Sequence, residues 1–261
     1  MLVTSARKKS RIVSICIDNL SFDESIDRVK NWGFSRQSGF VCFANVHMLI
    51  EAYQDYRLEE DLKKALLVLP DGKPLAVACG WLYNLKQERV AGMDFMPALF
   101  KKISSSNGRI FLFGSTPEVL CRLICKVRDE YPGINVVGSI SPPFRKLNDR
   151  ESSEYIRQIN EANANFILVA LGCPKQERWM AEHSDQISGL MLGLGGAFPV
   201  FAGIHKRCPR WMRDSGLEWL YRLMLEPKRL FRRYSVTNLK FLYLFTKQML
   251  QSKQQRSESL T

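Results

Sequence analysis

No uninterrupted apolar run of about 18 residues occurs in the chain, so no bilayer-spanning helix is expected. Cysteine comes to seven residues, an odd number without a Cys-x-x-Cys pair, which argues against a zinc ribbon or a dithiol redox motif. Cys16, Cys42 and Cys79 sit within apolar runs, where reduced, buried thiols are expected. The only histidines, His47, His183 and His205, share no ligand spacing with one another or with a carboxylate cluster, and no metal site is expected. Asp-x-Asp does not occur, which removes the common carboxylate clamp for a metal-bound diphosphate. A Walker A lysine motif is also missing. Gly193, Gly195 and Gly196 fall short of Gly-x-Gly-x-x-Gly because Phe198 takes the last slot. A nicotinamide or flavin enzyme is therefore disfavoured, and no cofactor is expected.

What is present is a chain of 261 residues and 46% hydrophobic composition, enough for one large core or a core with an appendage. Net charge is +12, and it is unevenly placed. Residues 204–261 hold 13 Lys and Arg against four Asp and Glu. Such a tail implies an anionic partner. The N-terminal stretch is basic, but its apolar run is short and ends at Asp18, unlike a secretory signal, so a cytoplasmic protein is expected.

Short apolar runs alternate with helical patterns. Strands are expected at Arg11–Ile17, Phe40–Phe43, Leu66–Leu69, Arg109–Phe113, Ile134–Gly138, Phe166–Leu171 and Leu190–Leu194. Helices are expected from Ser21 to about Trp32, at Val46–Tyr53, Leu75–Tyr83 and Phe95–Ser104, and from Thr116, where a cap precedes Pro117. The alternation predicts an α/β, Rossmann-like, mostly parallel sheet with helices on both faces, over residues 1–203. A basic, helical C-terminal appendage follows over residues 204–261.

In such sheets ligands bind beyond the carboxyl ends of the strands. Five strand exits carry the unusual polar residues: Asn45; Asp71 and Gly72; Gly114; Gly172, Lys175 and Gln176; Gly195 and Gly196. Glycines there let backbone N–H groups approach an anionic group. Each signal alone is weak, since a glycine after a strand is most often a turn. Together they point to one pocket for a phosphorylated ligand.

Several longer strings coincide with one family. "NVHMLIEAYQD", "VLPDGKPLAVA", "ERVAGMDFMPALF", "IFLFGSTPEV", "LVALGCPKQERWM" and "PRWMRDSGLEWLYRLMLEPKRLFRRY" follow one another between Asn45 and Tyr234. In these the sequence resembles the WecG/TagA/CpsF glycosyltransferases, which build bacterial cell-surface polymers. The resemblance implies a metal-independent, inverting transferase. It would move a sugar from a UDP-sugar to an undecaprenyl-diphosphate-linked acceptor, peripherally at the inner face of the cytoplasmic membrane. N-acetylmannosamine, its uronic acid and glucose are the donor sugars it implies, and homo-oligomers through the core are a further expectation.

Carried over residue by residue, the resemblance makes Asp71 the general base. It gives Asn45, Arg89 and Gln176 to the site, and Arg222, Arg229 and Arg232 to substrate contacts from the appendage. Two positions depart from the family pattern. Phe43 stands where a Thr is common, and Pro199 where many members carry Asp. The segment Ser141–Arg145 looks like the exopolysaccharide branch.

Read chemically, Asp71 would take the acceptor hydroxyl's proton, worth about 10²–10⁴-fold. The plainer reading is an Asp-Gly turn. Arg89, Lys175 and Gln176 are candidates for the donor phosphates or the reacting sugar; Arg89 is otherwise a solvated charge beside Glu88. Lys175 and Gln176 are expected to face the ligand and the residues after them to continue an ordinary helix, with Arg178 exposed and Glu177 either exposed or set against its own helix terminus. The appendage mixes Trp211, Trp219 and Tyr221 with arginines, and Phe241–Phe245 is apolar but too short to span. That mixture suits an anionic leaflet. No nucleic-acid recognition motif accompanies the charge, so nucleic acid is not an expected partner. A non-catalytic peripheral membrane protein with this fold is the alternative.

Overall fold

The protein is described by a computed structural model over residues 8–258, with the side chains of Asp214, Arg229, Arg232, Arg233, Lys253 and 255–258 left out. The strands are β1 (Lys9–Ile12), β2 (Ile15–Asp18), β3 (Gly39–Ala44), β4 (Leu67–Pro70), β5 (Arg109–Gly114), β6 (Asn135–Ile140), β7 (Phe166–Ala170) and β8 (Leu190–Gly193). The first helices are α1 (Phe22–Phe34), α2 (Val46–Gln54), α3 (Tyr56–Lys63), α4 (Lys73–Tyr83), α5 (Gly92–Ser104) and α6 (Pro117–Glu130). After them come α7 (Asp149–Glu161), α8 (Lys175–His183), α9 (Ala197–Phe201), α10 (Arg210–Asp214), α11 (Glu218–Leu225) and α12 (Pro227–Glu258).

Strands β3 to β8 form a six-stranded sheet in the order β4-β3-β8-β7-β5-β6, every pair parallel. Their near-continuous apolar runs fit a sheet covered on both faces. Alternation then sorts the side chains. Phe40, Cys42, Phe111, Phe113, Ile167 and Val169 face one cluster with α2, α4 and α8. Val41, Phe43, Ile110, Leu112, Phe166 and Leu168 face another with α5, α6 and α9. The expected α/β architecture is therefore the observed one. Local signals start the helices: Ser21 and Glu24 form a capping box on α1, and Thr116 caps α6 ahead of Pro117.

One expected strand is corrected. Arg11–Ile17 is a tight antiparallel hairpin, β1 against β2, with Val13 in the left-handed region at φ 53°. A β-branched residue there is uncommon. Tertiary contacts hold the turn: the Val13 N–H donates to Gln248 Oε1 at 2.9 Å, and Ser14 Oγ donates to the Leu49 carbonyl at 2.8 Å. Asp18 at the end of the hairpin accepts the Val68 N–H of edge strand β4 at 2.8 Å, so an edge amide is satisfied.

The residues after 203 pack onto the core. Cys208, Met212, Leu230 and Phe245 are buried, and α12 lies against α2 and α4. The polar stretch after Gln251 continues α12 through Glu258. No helix among the described residues is long and apolar enough to cross a membrane.

Candidate active site

The strand order puts the carboxyl ends of β4, β3, β8 and β7 side by side, and two cavities open there. The larger has a volume of 330 Å³ and is walled by the β7 and β8 exits, including Gly172, Gln176, Gly195 and Gly196. The smaller, 120 Å³, lies toward β4 and includes Gly72, Lys73, Arg89 and Arg213. Asn45, His47, Asp71, Glu218 and Arg222 border both. Asp71 thus stands at the boundary of two compartments.

Asp71 directly follows β4, and its N–H donates to the Ala44 carbonyl at 2.8 Å, which ties the strand exit to β3. Its Oδ1 accepts the Gly92 N–H, the first residue of α5, at 3.0 Å. Removal from water pushes its pKa up to about 6, and the nearby Glu218 carboxylate adds to the rise; Arg222, the Gly92 N–H and Arg89 oppose it. A carboxylate poised there is a base at neutral pH that a proton can reach.

Gln176 is only 6% exposed although it borders the cavity. Its Nε2 donates to Glu177 Oε1 at 2.6 Å, and Oε1 has no partner. Glu177 is fully buried, which raises its pKa. Glu177 is thus buried rather than part of an exposed turn, and of the two residues expected to face the ligand only Gln176 borders a cavity. On α8 Lys175, Arg178 and Glu182 are exposed at i, i+3 and i+7, while Gln176, Glu177 and Met180 point inward. Lys175 is not among the residues bordering the cavities, and Arg178 pairs with Asp55.

The β8 glycines serve Gln176 as much as any ligand. A Cβ at Gly195 would lie 2.8 Å from Gln176 Oε1, and one at Gly193 would lie 3.0 Å from its Nε2. Gly172, at φ 80°, has open space where a Cβ would stand. Gly114 does not border either cavity. The strand order places β5 beyond β7, and the Gly114 backbone packs so close to Ala170 that a Cβ would meet its carbonyl at 2.4 Å. Its glycine is accounted for by that approach.

Asn45 is the N-cap of α2, its Oδ1 accepting the Met48 N–H at 3.1 Å, so only the amide nitrogen is unused by the cap. Arg89 borders the smaller cavity, not the larger. It is held by Asp94 at 2.7 Å and by Glu218 at 2.9 Å, rather than standing as a solvated charge beside Glu88. Glu88 instead accepts the Phe22 N–H. Arg222 reaches in from α11, 3.5 Å from Glu218, and its guanidinium lies 3.5 Å from where a Cβ at Gly196 would stand. Arg229 and Arg232 lie on the first turns of α12, and their side chains fall outside the described residues.

Sequence reasoning passed over His47, Glu218 and Asp94. His47 borders both cavities one residue into α2. Glu218 and Asp94 organise the cations: Asp94 takes Arg89, Arg207 and Arg213, and Glu218 takes Arg89 and Arg222. The signal was present in the Gly-Met-Asp and Leu-Glu-Trp strings, where only the arginines drew attention. Among the described residues no group of three His, Cys, Asp or Glu side chains could hold a metal ion.

The sequence model described as "Glycosyl transferase WecG/TagA/CpsF family" matches residues 10–255. A relative in Bacillus subtilis (strain 168) is 32% identical over 220 residues, covering 84% of each chain. One in Staphylococcus aureus (strain NCTC 8325 / PS 47) is 28% identical over 232 residues, 87% of this chain and 89% of that one. Both carry the name N-acetylglucosaminyldiphosphoundecaprenol N-acetyl-beta-D-mannosaminyltransferase.

Proposed function

We propose a function on the premise that this chain belongs to the WecG/TagA/CpsF family and is a glycosyltransferase: it moves a sugar, with inversion, from a UDP-sugar to an acceptor linked to polyprenyl diphosphate. The observation that carries this reading is Asp71 between two cavities, of which the reading gives one to each substrate. The donor belongs in the larger, against Gly172, Gly195, Gly196 and Gln176. The acceptor hydroxyl enters from the smaller.

In the reaction the Asp71 carboxylate takes the hydroxyl proton as that oxygen forms its bond to the anomeric carbon. The bond from that carbon to UDP breaks on the opposite side, and UDP leaves with the electron pair. Displacement in one step inverts the centre. Arg222 supplies positive charge where the departing diphosphate gathers negative charge. With cationic side chains in that role, the transfer is expected to proceed without an added divalent ion.

The relatives are named for N-acetylmannosamine as the sugar moved and for an N-acetylglucosaminyl diphosphoundecaprenol acceptor. That donor is the first to test here. The name also answers the non-catalytic alternative, since the relatives that cover most of this chain are transferases. Residues 204–258 act as an appendage that closes the site, through Glu218 and Arg222, and meets the membrane. Leu239, Leu242, Tyr243 and Leu250 are exposed on α12 beside Lys240 and Lys247, a mixture suited to an anionic leaflet at the inner face.

The test is UDP release from a panel of UDP-sugars with a synthetic polyprenyl-diphosphate acceptor, in the presence of a chelator. Turnover by the native protein and its loss in Asp71→Asn is the expected result. No release with any donor, or equal release by the variant, overturns the proposal.

A further inference from the structure

A third cavity of 500 Å³ opens on the surface beyond the smaller of the two already described. Lys73, Ala76, Val77, Gly80 and Trp81 form its floor. These lie at i, i+3, i+4, i+7 and i+8 of α4, one face of one helix. The segment 84–91 forms the opposite wall. A Cβ at Gly80 would lie 3.1 Å from the Leu85 carbonyl, so helix and segment are in close contact. The segment is pinned from behind: Gln87 Nε2 donates to the Leu20 carbonyl at 2.7 Å, and Glu88 takes the Phe22 N–H at 2.8 Å. The groove is therefore formed before anything binds.

Its chemistry changes along its length. Lys73, Arg89 and Arg213 belong both to this groove and to the cavity beside Asp71. Lys73, Arg89, Arg213 and Arg222 there stand against Asp71, Asp94 and Glu218, so the inner end carries net positive charge. The outer end is Val77 and Trp81, both exposed, with Lys86 across from them. The Trp81 ring lies 6.0 Å from that of Phe245 on α12, beside the exposed Leu242 and Tyr243. From Lys73 to Trp81 the floor runs about 12 Å at helical rise, roughly the length of a diphosphate with its first isoprene unit.

We propose that this groove between α4 and the 84–91 segment is the subsite for the diphosphate and first isoprene units of the lipid-linked acceptor. The assignment rests on the transfer reaction proposed above. Guanidinium forks and an ammonium at the inner end suit a diphosphate. The acceptor sugar then extends inward to Asp71, and the lipid passes outward over Val77 and Trp81 to the apolar row of α12. Charge at one end and an aromatic slot at the other fix the direction in which the acceptor lies.

The test uses farnesyl diphosphate as probe, titrated calorimetrically into the full chain with saturating UDP present to occupy the donor cavity. Farnesol and inorganic diphosphate serve as comparison ligands. Lys86→Glu and Trp81→Ala change exposed side chains. Each should weaken farnesyl diphosphate at least fivefold, leave UDP affinity as it was, and raise the KM for a polyprenyl-diphosphate acceptor by a similar factor. Farnesyl diphosphate that fails to bind the native protein, or that binds both variants as well as the native protein, overturns the subsite. So does a result in which the variants lose only co-sedimentation with anionic phospholipid vesicles, because the groove would then be a bilayer contact. Variant-sensitive farnesyl diphosphate binding without sugar transfer from any UDP-sugar would sink the transferase reading and leave the polyprenyl diphosphate site standing.

Discussion

Glu177 holds the side-chain amide of Gln176 by its nitrogen, at 2.6 Å, and so leaves the amide oxygen, buried beside Gly195 in the wall of the larger cavity, with no protein partner. A buried acceptor left unpaired is costly, and a substrate O–H or N–H would satisfy it. Glu177→Leu removes the anchor. We expect kcat/KM to fall by about 10–10²-fold, the scale of a displaced site group. Glu177→Gln keeps an oxygen that can accept the bond and should recover most of the loss. Equal losses in both variants would show that Glu177 matters only for folding.

Gly195 and Gly172 separate two reasons for being glycine. Gly195→Ala places a methyl 2.8 Å from Gln176 Oε1 and must push the amide aside, so activity should fall while the melting temperature changes little. Gly172→Ala fills open space but forces alanine to φ 80°, with an expected stability loss of roughly 1–2 kcal/mol. Thermal melts and steady-state rates on both variants check the contrast.

Asp71→Asn should lose about 10²–10⁴-fold in turnover and gain stability at neutral pH. Folding raises the carboxyl from 3.8 to about 6, so the native state holds that proton more tightly than the unfolded chain does. The contribution of this group to stability is most favourable below its unfolded value and is lost as pH rises through about 6. At pH 7–8 the ionised group therefore carries a penalty on the order of 1–3 kcal/mol. Asparagine keeps an oxygen for the Gly92 N–H and removes the charge. A melting temperature below that of the native protein at pH 8 would contradict this.

The pH profile follows from the same group. As a base Asp71 works ionised, so kcat/KM should rise through about pH 6 and then level off. Glu218 is the second cause of the raised pKa, after burial. Glu218→Gln should move the acid limb to lower pH, since a like charge is gone and the arginines it neutralised now favour the carboxylate. A limb that stays in place would disconnect Glu218 from the base.

Much of the architecture is local chemistry and could be read directly. Apolar runs of four to six residues between capped amphipathic helices make parallel strands wherever both faces must be covered, as β3, β5 and β7 show. The Asp-Gly after β4 and the glycines after β7 and β8 marked the site edge for the same reason. Val13 was not legible, because the turn there is held by Gln248, 235 residues away. Within α8 polarity did not tell a buried residue from an exposed one. Glu177 is polar and buried, Lys175 is polar and exposed, and helical rotation about one inward direction makes the difference.

Residue order alone determined that this chain forms a wound parallel sheet with polar strand exits, a basic C-terminal segment and the strings of one transferase family, because periodicity, caps and motifs act over a few residues. Strand order, which sets β8 beside β3 and β7 beside β8 and leaves β5 and Gly114 outside, was decided only in three dimensions. So was the convergence of Arg89, Arg207 and Arg213 on Asp94, since charges far apart in the chain pair only once packing has brought their elements together.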